Sequence, residues 1–315
     1  MPEKTVSKTI NKEILGTIFA LLAAIISGFA IPINKIFVVD MDPAVFTAIR
    51  ALIIGAVFLV IAAAQSKFFF SVGDRRFKKV PWSYLLAIGL IGGGLAFLLY
   101  FTGLGMTTVG RAAFLQKLLP VFVGVFAFLF LKEKMPKKYL GALLVMIVGV
   151  FFVVSARIEP GVFWSNPGFG DILIILATLF WGIEAVLAKK AMIKGETSFV
   201  VSFGRMFFGG VFLFGAIVLL GKINVLMALS MQQITNILIS TGILFGYVLF
   251  FYAAIRYINA SKATALLLIA PIISLILGIW WFSEPLPLLQ IIGSVLILVG
   301  AVVVVKIKSE FSSGV

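Results

Sequence analysis

Tyr100 to Glu133, YFTGLGMTTVGRAAFLQKLLPVFVGVFAFLFLKE, lies over Phe251 to Glu284, FYAAIRYINASKATALLLIAPIISLILGIWWFSE, without a gap when the 315-residue chain is slid along itself by 151 positions. Pro120 then falls on Pro271, Arg111 on Lys262, Leu115 on Leu266 and Glu133 on Glu284. Upstream the offset drifts to about 153 to 155, placing Gly89-x-x-x-Gly93 on Gly242-x-x-x-Gly246, Ser27-Gly28 on Trp181-Gly182, Lys35 on Lys189 and Arg50 on Arg205. An offset that holds this closely over half a chain marks an internal duplication.

The duplicated unit is made for lipid. Apolar residues are 62 % of the chain and charged residues 12 %, where a soluble domain carries about 25 % charged residues. Ten apolar runs, each about long enough to cross a bilayer, occupy 14–34, 43–64, 82–103, 109–131, 137–155, 171–191, 198–220, 234–256, 261–282 and 286–305. Inside lipid every backbone N–H and C=O must be satisfied within its own segment, so runs of this length are helices. The expected organisation is an N-terminal tail at 1–13, a first five-helix repeat at 14–155, a linker at 156–170, a second repeat at 171–305 and a C-terminal tail at 306–315. The longest loops, 65–81 and 156–170, are too short to be domains.

The chain has no Cys and no His, which removes disulfides, thiolate nucleophiles, imidazole bases and the usual zinc and haem ligands together. No metal and no cofactor is expected. The net charge of +14 does not point to nucleic acid, because the cations lie in short loops without an aromatic-basic platform. They report orientation instead. With the N-terminus in the cytoplasm, 19 Lys and Arg fall on the cytoplasmic side and 4 on the other, which predicts both termini inside a plasma or inner membrane. Five spans per repeat is an odd number, so the repeats are inverted relative to each other, the architecture of alternating access. The first span is longer than the 7 to 15 residues of a signal-peptide core and has a repeat partner in the sixth, so it is read as a retained helix.

Ten spans, an Arg early in the second and seventh, and the doubled pattern carry a resemblance. The pattern reads Tyr100-Phe101 to Ala112-x-x-Leu115-x-x-x-x-Pro120 to Glu133, and Phe251-Tyr252 to Ala263-x-x-Leu266-x-x-x-x-Pro271 to Glu284. It resembles the EamA-like branch of the drug/metabolite transporter superfamily over nearly the whole chain. The resemblance implies a ten-helix inverted-repeat carrier with a central cavity lined mainly by helices 1, 3, 4, 6, 8 and 9. It also implies a substrate among amino acids and related metabolites, sugars, nucleotide sugars or phosphorylated compounds. The chain departs from strict symmetry in its last helix, where Gly293 and Gly300 are seven apart while Gly141 and Gly149 in the fifth are eight apart.

Four ionisable residues lie well inside the spans: Arg50, Lys117, Glu184 and Arg205. Each costs at least about 2.5 kcal/mol at the bilayer centre, so each should face a cavity or a partner. For Glu184 two readings compete. One is a structural ion pair with Arg205 that stitches the sixth helix to the seventh. The other is a cavity-facing carboxylate one turn from Trp181, suited to carrying a coupling proton. Lys117 stands three residues before Pro120, whose missing N–H loosens the helix, and reads as part of a binding site at a broken helix. Gln116 is about 100° away from it on a regular helix. Arg50 and Arg205 are read as structural charges. Pro32, Pro120 and Pro271 mark kinks or hinges, and Pro32 has no counterpart in the sixth helix, where Val186 stands. Gly89-x-x-x-Gly93 and Gly242-x-x-x-Gly246 are read as helix–helix seams. Tyr100 and Tyr252 carry hydroxyls on helices that the resemblance assigns to the cavity.

A secondary transporter of small molecules, with protons as a candidate coupling ion, fits these features, since no nucleotide-binding loop is present. The predicted activity is export of amino acids or related carboxylate-bearing compounds. The alternative is a carrier of sugars, phosphorylated metabolites or lipid-linked substrates. An intramembrane enzyme would need a nucleophile–base pair or a metal cluster that the composition does not supply, and no filter sequence or ring of like charges suggests a channel.

Overall fold

The structure is a computed structural model, and it describes residues 3–37, 41–69, 80–156 and 168–309. Among the described residues there is no strand, and ten helices are long and apolar enough to cross a bilayer. They are α1 (Glu3–Phe37), α2 (Pro43–Phe69), α3 (Trp82–Leu104), α4 (Gly110–Leu131), α5 (Lys137–Ser155), α6 (Phe169–Ile193), α7 (Ser198–Leu219), α8 (Met231–Tyr257), α9 (Ala260–Trp281) and α10 (Leu288–Lys306). A one-turn helix, Ile223–Met227, absent from the sequence expectation, links α7 to α8. Most of the linker expected at 156–170, and the core of the loop expected at 65–81, lie outside the described residues.

Contacts between helix ends sort the ends onto two faces. The Val80 amide donates to Glu196 Oε1 at 3.1 Å, the Tyr139 hydroxyl to Ser261 O at 2.9 Å and the Lys262 ammonium to Ile307 O at 2.7 Å. With the Lys262–Glu13 bond at 2.7 Å, these gather Glu13 of α1, the chain just before or at the starts of α3, α5, α7 and α9, and the end of α10 on one face, called the terminal face below. Lys222–Asp42 at 2.7 Å and Arg111–Asp171 at 2.8 Å gather the opposite face. Equivalent helices of the two five-helix repeats therefore run in opposite senses, and the repeat is inverted.

The duplication extends to the backbone. In α4 the helix stops at Gln116 and restarts at Leu119; in α9 a 3₁₀ turn at Leu267–Ile269 interrupts the helix at the equivalent place. Pro120 and Pro271 each sit in the first turn of the restarted helix, where a missing N–H costs nothing. Both segments end on a left-handed residue, Lys132 with φ 55° and Ser283 with φ 48°. In each the following glutamate amide bonds back, Glu133 to Ala127 O at 3.1 Å and Glu284 to Gly278 O at 3.3 Å. α1, by contrast, stays helical through Pro32.

Two of the bundle's close helix–helix contacts run through glycines. At one, π-helical turns in α3 (Gly89–Leu95) and α7 (Gly204–Phe208) face each other, and a Cβ on Gly93 would strike the Arg205 carbonyl. At the other, α5 and α10 meet through Gly149 and Gly293, each against the other's carbonyl. The seam expected at Gly242-x-x-x-Gly246 does not form: nothing lies within 4 Å of a Cβ on Gly242, and only the tip of Ile26 approaches Gly246. The outer surface is apolar, with Leu144 63 % and Trp280 82 % exposed, as a bundle whose solvent is lipid requires.

Candidate functional site

The two interruptions meet at a central cavity of about 430 Å³. Its wall runs from Asn34 and Pro43, at the opposite face where α1 ends and α2 begins, to Arg205 and Thr264 on the terminal side of the centre. Below that depth the bundle is closed. The Lys189 ammonium caps the end of α8, donating to Ile255 O at 2.6 Å and Ile258 O at 3.0 Å. Glu133 accepts from the Ala260 and Ser261 amides at 2.8 and 3.2 Å and from the Ser261 hydroxyl at 2.6 Å, capping the first turn of α9. Lys262 bonds Glu13 at 2.7 Å and the Val305 and Ile307 carbonyls at 3.0 and 2.7 Å.

Most of the residues singled out in the sequence line this cavity: Lys117, Gln116, Pro120, Tyr100, Trp181, Glu184, Arg50 and Arg205. Gln116 and Lys117 share the wall because the helix breaks at them, so the 100° step of a regular helix no longer applies. Trp181 donates its Nε1–H to Gly92 O at 3.0 Å, and its ring lies 5.3 Å from Tyr100 and 5.2 Å from Phe97. That bond uses a carbonyl of the π-helical turn in α3, the kind of irregularity that recurs at functional sites.

Glu184 is 1 % exposed and occupies a position common to its two readings. It pairs with the Arg205 guanidinium at 3.5 Å, and it lines the cavity. The Tyr252 hydroxyl donates to its Oε1, and Gly92 leaves room for its side chain, which a Cβ there would displace. Tyr252 itself is 0 % exposed and does not reach the cavity. Phe251, the residue in register with Tyr100, lines it instead. Tyr252 thus stands behind Glu184, and its ring carries Arg205 at 5.8 Å. Pro32 and Pro271 line a smaller neighbouring cavity.

Arg50, read in the sequence as a structural charge, lines the cavity. Its Nη2 donates to Ser240 O at 3.4 Å and its guanidinium lies 4.4 Å from the Phe46 ring, but its Nε is buried without a partner. Sequence reasoning did not single out Glu13, Asp171 or Asn34. Asp171 accepts from Arg111 at 2.8 Å, from the Gly168 amide at 2.9 Å and from Thr107. Arg111 and Lys262 were legible as repeat partners; their acids sit on α6 and α1 at positions with no matching offset. Outside the membrane, burial pushes the Asp42 carboxyl up, but the hydrogen bond from Lys222, the Val45 amide, the Lys222 charge and the Ala44 amide hold it below its ordinary value of 3.8.

Inverted five-helix repeats around a charged cavity, sealed at one face, define a multi-pass membrane carrier. The chain belongs to the EamA-like transporter family, whose profile matches residues 14–155 and 168–306. An uncharacterized transporter of Methanothermobacter thermautotrophicus is 26 % identical over 301 residues, 92 % of this chain and 85 % of its own length. The uncharacterized transporter YoaV of Bacillus subtilis is 27 % identical over 300 residues, 92 % of this chain and 95 % of its own. A crystal structure 17 % identical in sequence shares the fold, with a TM-score of 0.70 over 92 % of this chain and 96 % of that one. The chain is a membrane transporter working in a lipid bilayer on a small-molecule substrate.

Proposed function

We propose that this transporter carries small carboxylate-bearing metabolites, amino acids or related compounds, by alternating access, and that it exports them across a plasma or inner membrane with both its termini in the cytoplasm. One observation carries the substrate class. The cavity wall holds three cations, Lys117, Arg50 and Arg205, against the single carboxyl of Glu184, which is tied to Arg205. The Lys117 ammonium has no hydrogen bond or ion pair among the described residues, and Arg50 has an unpartnered Nε. An anion entering from the opposite face meets two cations that nothing else neutralises, in a low-dielectric setting where such pairing is strong.

Lys117 is the primary anion contact, because it stands at the helix break where the backbone is already freed from regular bonding. Glu184 is the candidate carrier of a coupling proton, since it is buried, cavity-lining and held by a hydroxyl that can donate to it. The inverted repeat and the orientation of basic loops support the remaining elements of the reading.

The test is Lys117→Met, similar in length but neutral. It should weaken binding of a transported carboxylate by at least about 1.5 kcal/mol, the low end for a hydrogen bond to a charged group. Lys117→Arg should restore binding only in part, because a planar fork does not reproduce a point charge. Unchanged affinity in the Met variant, measured by calorimetry, would remove Lys117 from the binding site.

A further inference from the structure

Beside the central cavity lies a second chamber of about 260 Å³, bounded by α1, α4, α5, α9 and the start of α10. The two share Ile31 and Lys117 in their walls. The side chamber is mostly apolar, with Ala113, Val154 and Leu275 facing it, and it ends at Gly278, Glu284 and Gln290. Gln290 is 2 % exposed; its Nε2 donates to Val153 O at 3.4 Å, and its Oε1 has no partner. A buried acceptor left unbonded costs about 1–3 kcal/mol, so it calls for a donor from whatever fills the space.

A shift of 151 residues maps Ala113 onto Thr264, Lys117 onto Leu268, Ser274 onto Val123, Gly278 onto Ala127 and Gln290 onto Tyr139. Of these counterparts, Val123, Ala127 and Tyr139 are 0 %, 0 % and 3 % exposed and line neither cavity, while Thr264 and Leu268 face the central one. Lys117 and Gln290 thus place two polar side chains in the chamber wall where the other repeat has a leucine and a tyrosine.

We propose that this side chamber is a second compartment of the substrate site, taking an apolar, preferably aromatic, group that ends in a hydrogen-bond donor while the substrate's carboxylate stays on Lys117. The proposal rests on the anion-binding role of Lys117 and specifies what the rest of the substrate looks like. Its polarity follows from the two ends. The shared wall supplies an ammonium, whereas the far end supplies the free amide oxygen of Gln290. An anion fits the first end and a hydroxyl or N–H fits the second. A dry cavity of about 150 Å³ already admits a benzene ring, so an aryl group fits between them.

Acetate, phenylacetate and 4-hydroxyphenylacetate, titrated calorimetrically into the purified full-length protein, separate the parts. Phenylacetate should bind at least about tenfold more tightly than acetate, the yield of burying a ring. The hydroxyl should add roughly threefold to tenfold more, the worth of one net hydrogen bond. Ala113→Leu and Val154→Phe, on different helices, fill the chamber and should each erase the ring's advantage while leaving acetate unchanged. Gln290→Met should erase only the hydroxyl's advantage. If all three acids bind alike, or if the filled variants weaken acetate as much as the aryl acids, the compartment is only a gap between helices and the proposal fails while Lys117 keeps its role. If none of the three binds, the anion reading of Lys117 falls and the compartment with it. The order of the three acids on the unmodified protein decides the matter even where a filled variant does not fold.

Discussion

Glu184 faces Arg205 at 3.5 Å and accepts from Tyr252, with 1 % of its surface exposed, so removing its charge leaves a guanidinium buried without an anion. Breaking such a pair by one partner costs about 3–5 kcal/mol. Glu184→Gln should therefore destabilise the protein by about that amount in thermal or denaturant unfolding. Adding Arg205→Met should recover at least half of the loss; strictly additive losses would show that the pair is not coupled. In the folded double variant, proton-driven transport should vanish while substrate exchange persists. A second residue makes a pH prediction. Asp42 caps the start of α2 and pairs with Lys222, and its carboxyl is held below 3.8. A carboxyl depressed on folding adds stability above its unfolded value and loses it as pH falls through its folded value. The acid limb of the stability–pH curve, below about pH 4, should flatten in Asp42→Asn. At this scale the sequence showed which charges were buried, because a charge inside an apolar run is conspicuous. It did not show their partners. Tyr252 looked equivalent to Tyr100, yet the one-residue slip between them turns Tyr252 behind Glu184 and brings Phe251 to the cavity.

The spans were legible as elements because lipid allows only helix over such runs, and the interruptions in α4 and α9 were legible because proline marks both. The seams were not. Gly89-x-x-x-Gly93 and Gly242-x-x-x-Gly246 match in sequence, but only the first meets another helix backbone to backbone; a spacing motif says which residues are small, not which side of the helix is closely packed. The difference is measurable. Gly149→Ala would push a methyl into the Gly293 carbonyl across the α5–α10 seam and should cost about 1–3 kcal/mol, as overpacking does. Gly242→Ala meets open space and should be neutral or stabilise by up to about 1 kcal/mol through helix propensity. Unfolding of both variants in the same detergent tests this contrast. A destabilised Gly242→Ala protein would restore the second seam.

At the scale of the whole molecule, each face carries a cation–acid clasp from a repeat-related cation: Lys262 to Glu13 at the terminal face, Arg111 to Asp171 at the other. Orientation can be read first, because the chain has no cysteine of its own. Lys138→Cys and Asn224→Cys should label from opposite sides in intact cells, the first only from the cytoplasm; labelling of both from one side would end the inverted arrangement. The clasps then predict how the carrier changes face. The cavity is drawn from the opposite half and stops above Ile255, which is 0 % exposed, and the terminal clasp also gathers Val305 O, Ile307 O and Ser309. Lys262→Met removes one ammonium that holds α1, α9 and α10 together, without adding volume. Each 1.4 kcal/mol of seal lost shifts an opening equilibrium about tenfold. An Ile255→Cys protein should therefore react with a small thiol reagent from the terminal side about tenfold faster once Lys262→Met is added, and substrate bound from the opposite side should slow that reaction again. Arg111→Met, which loosens the other face, should leave the rate unchanged. Equal acceleration by Arg111→Met would mean that Lys262 supports the bundle as a whole and does not act as a gate.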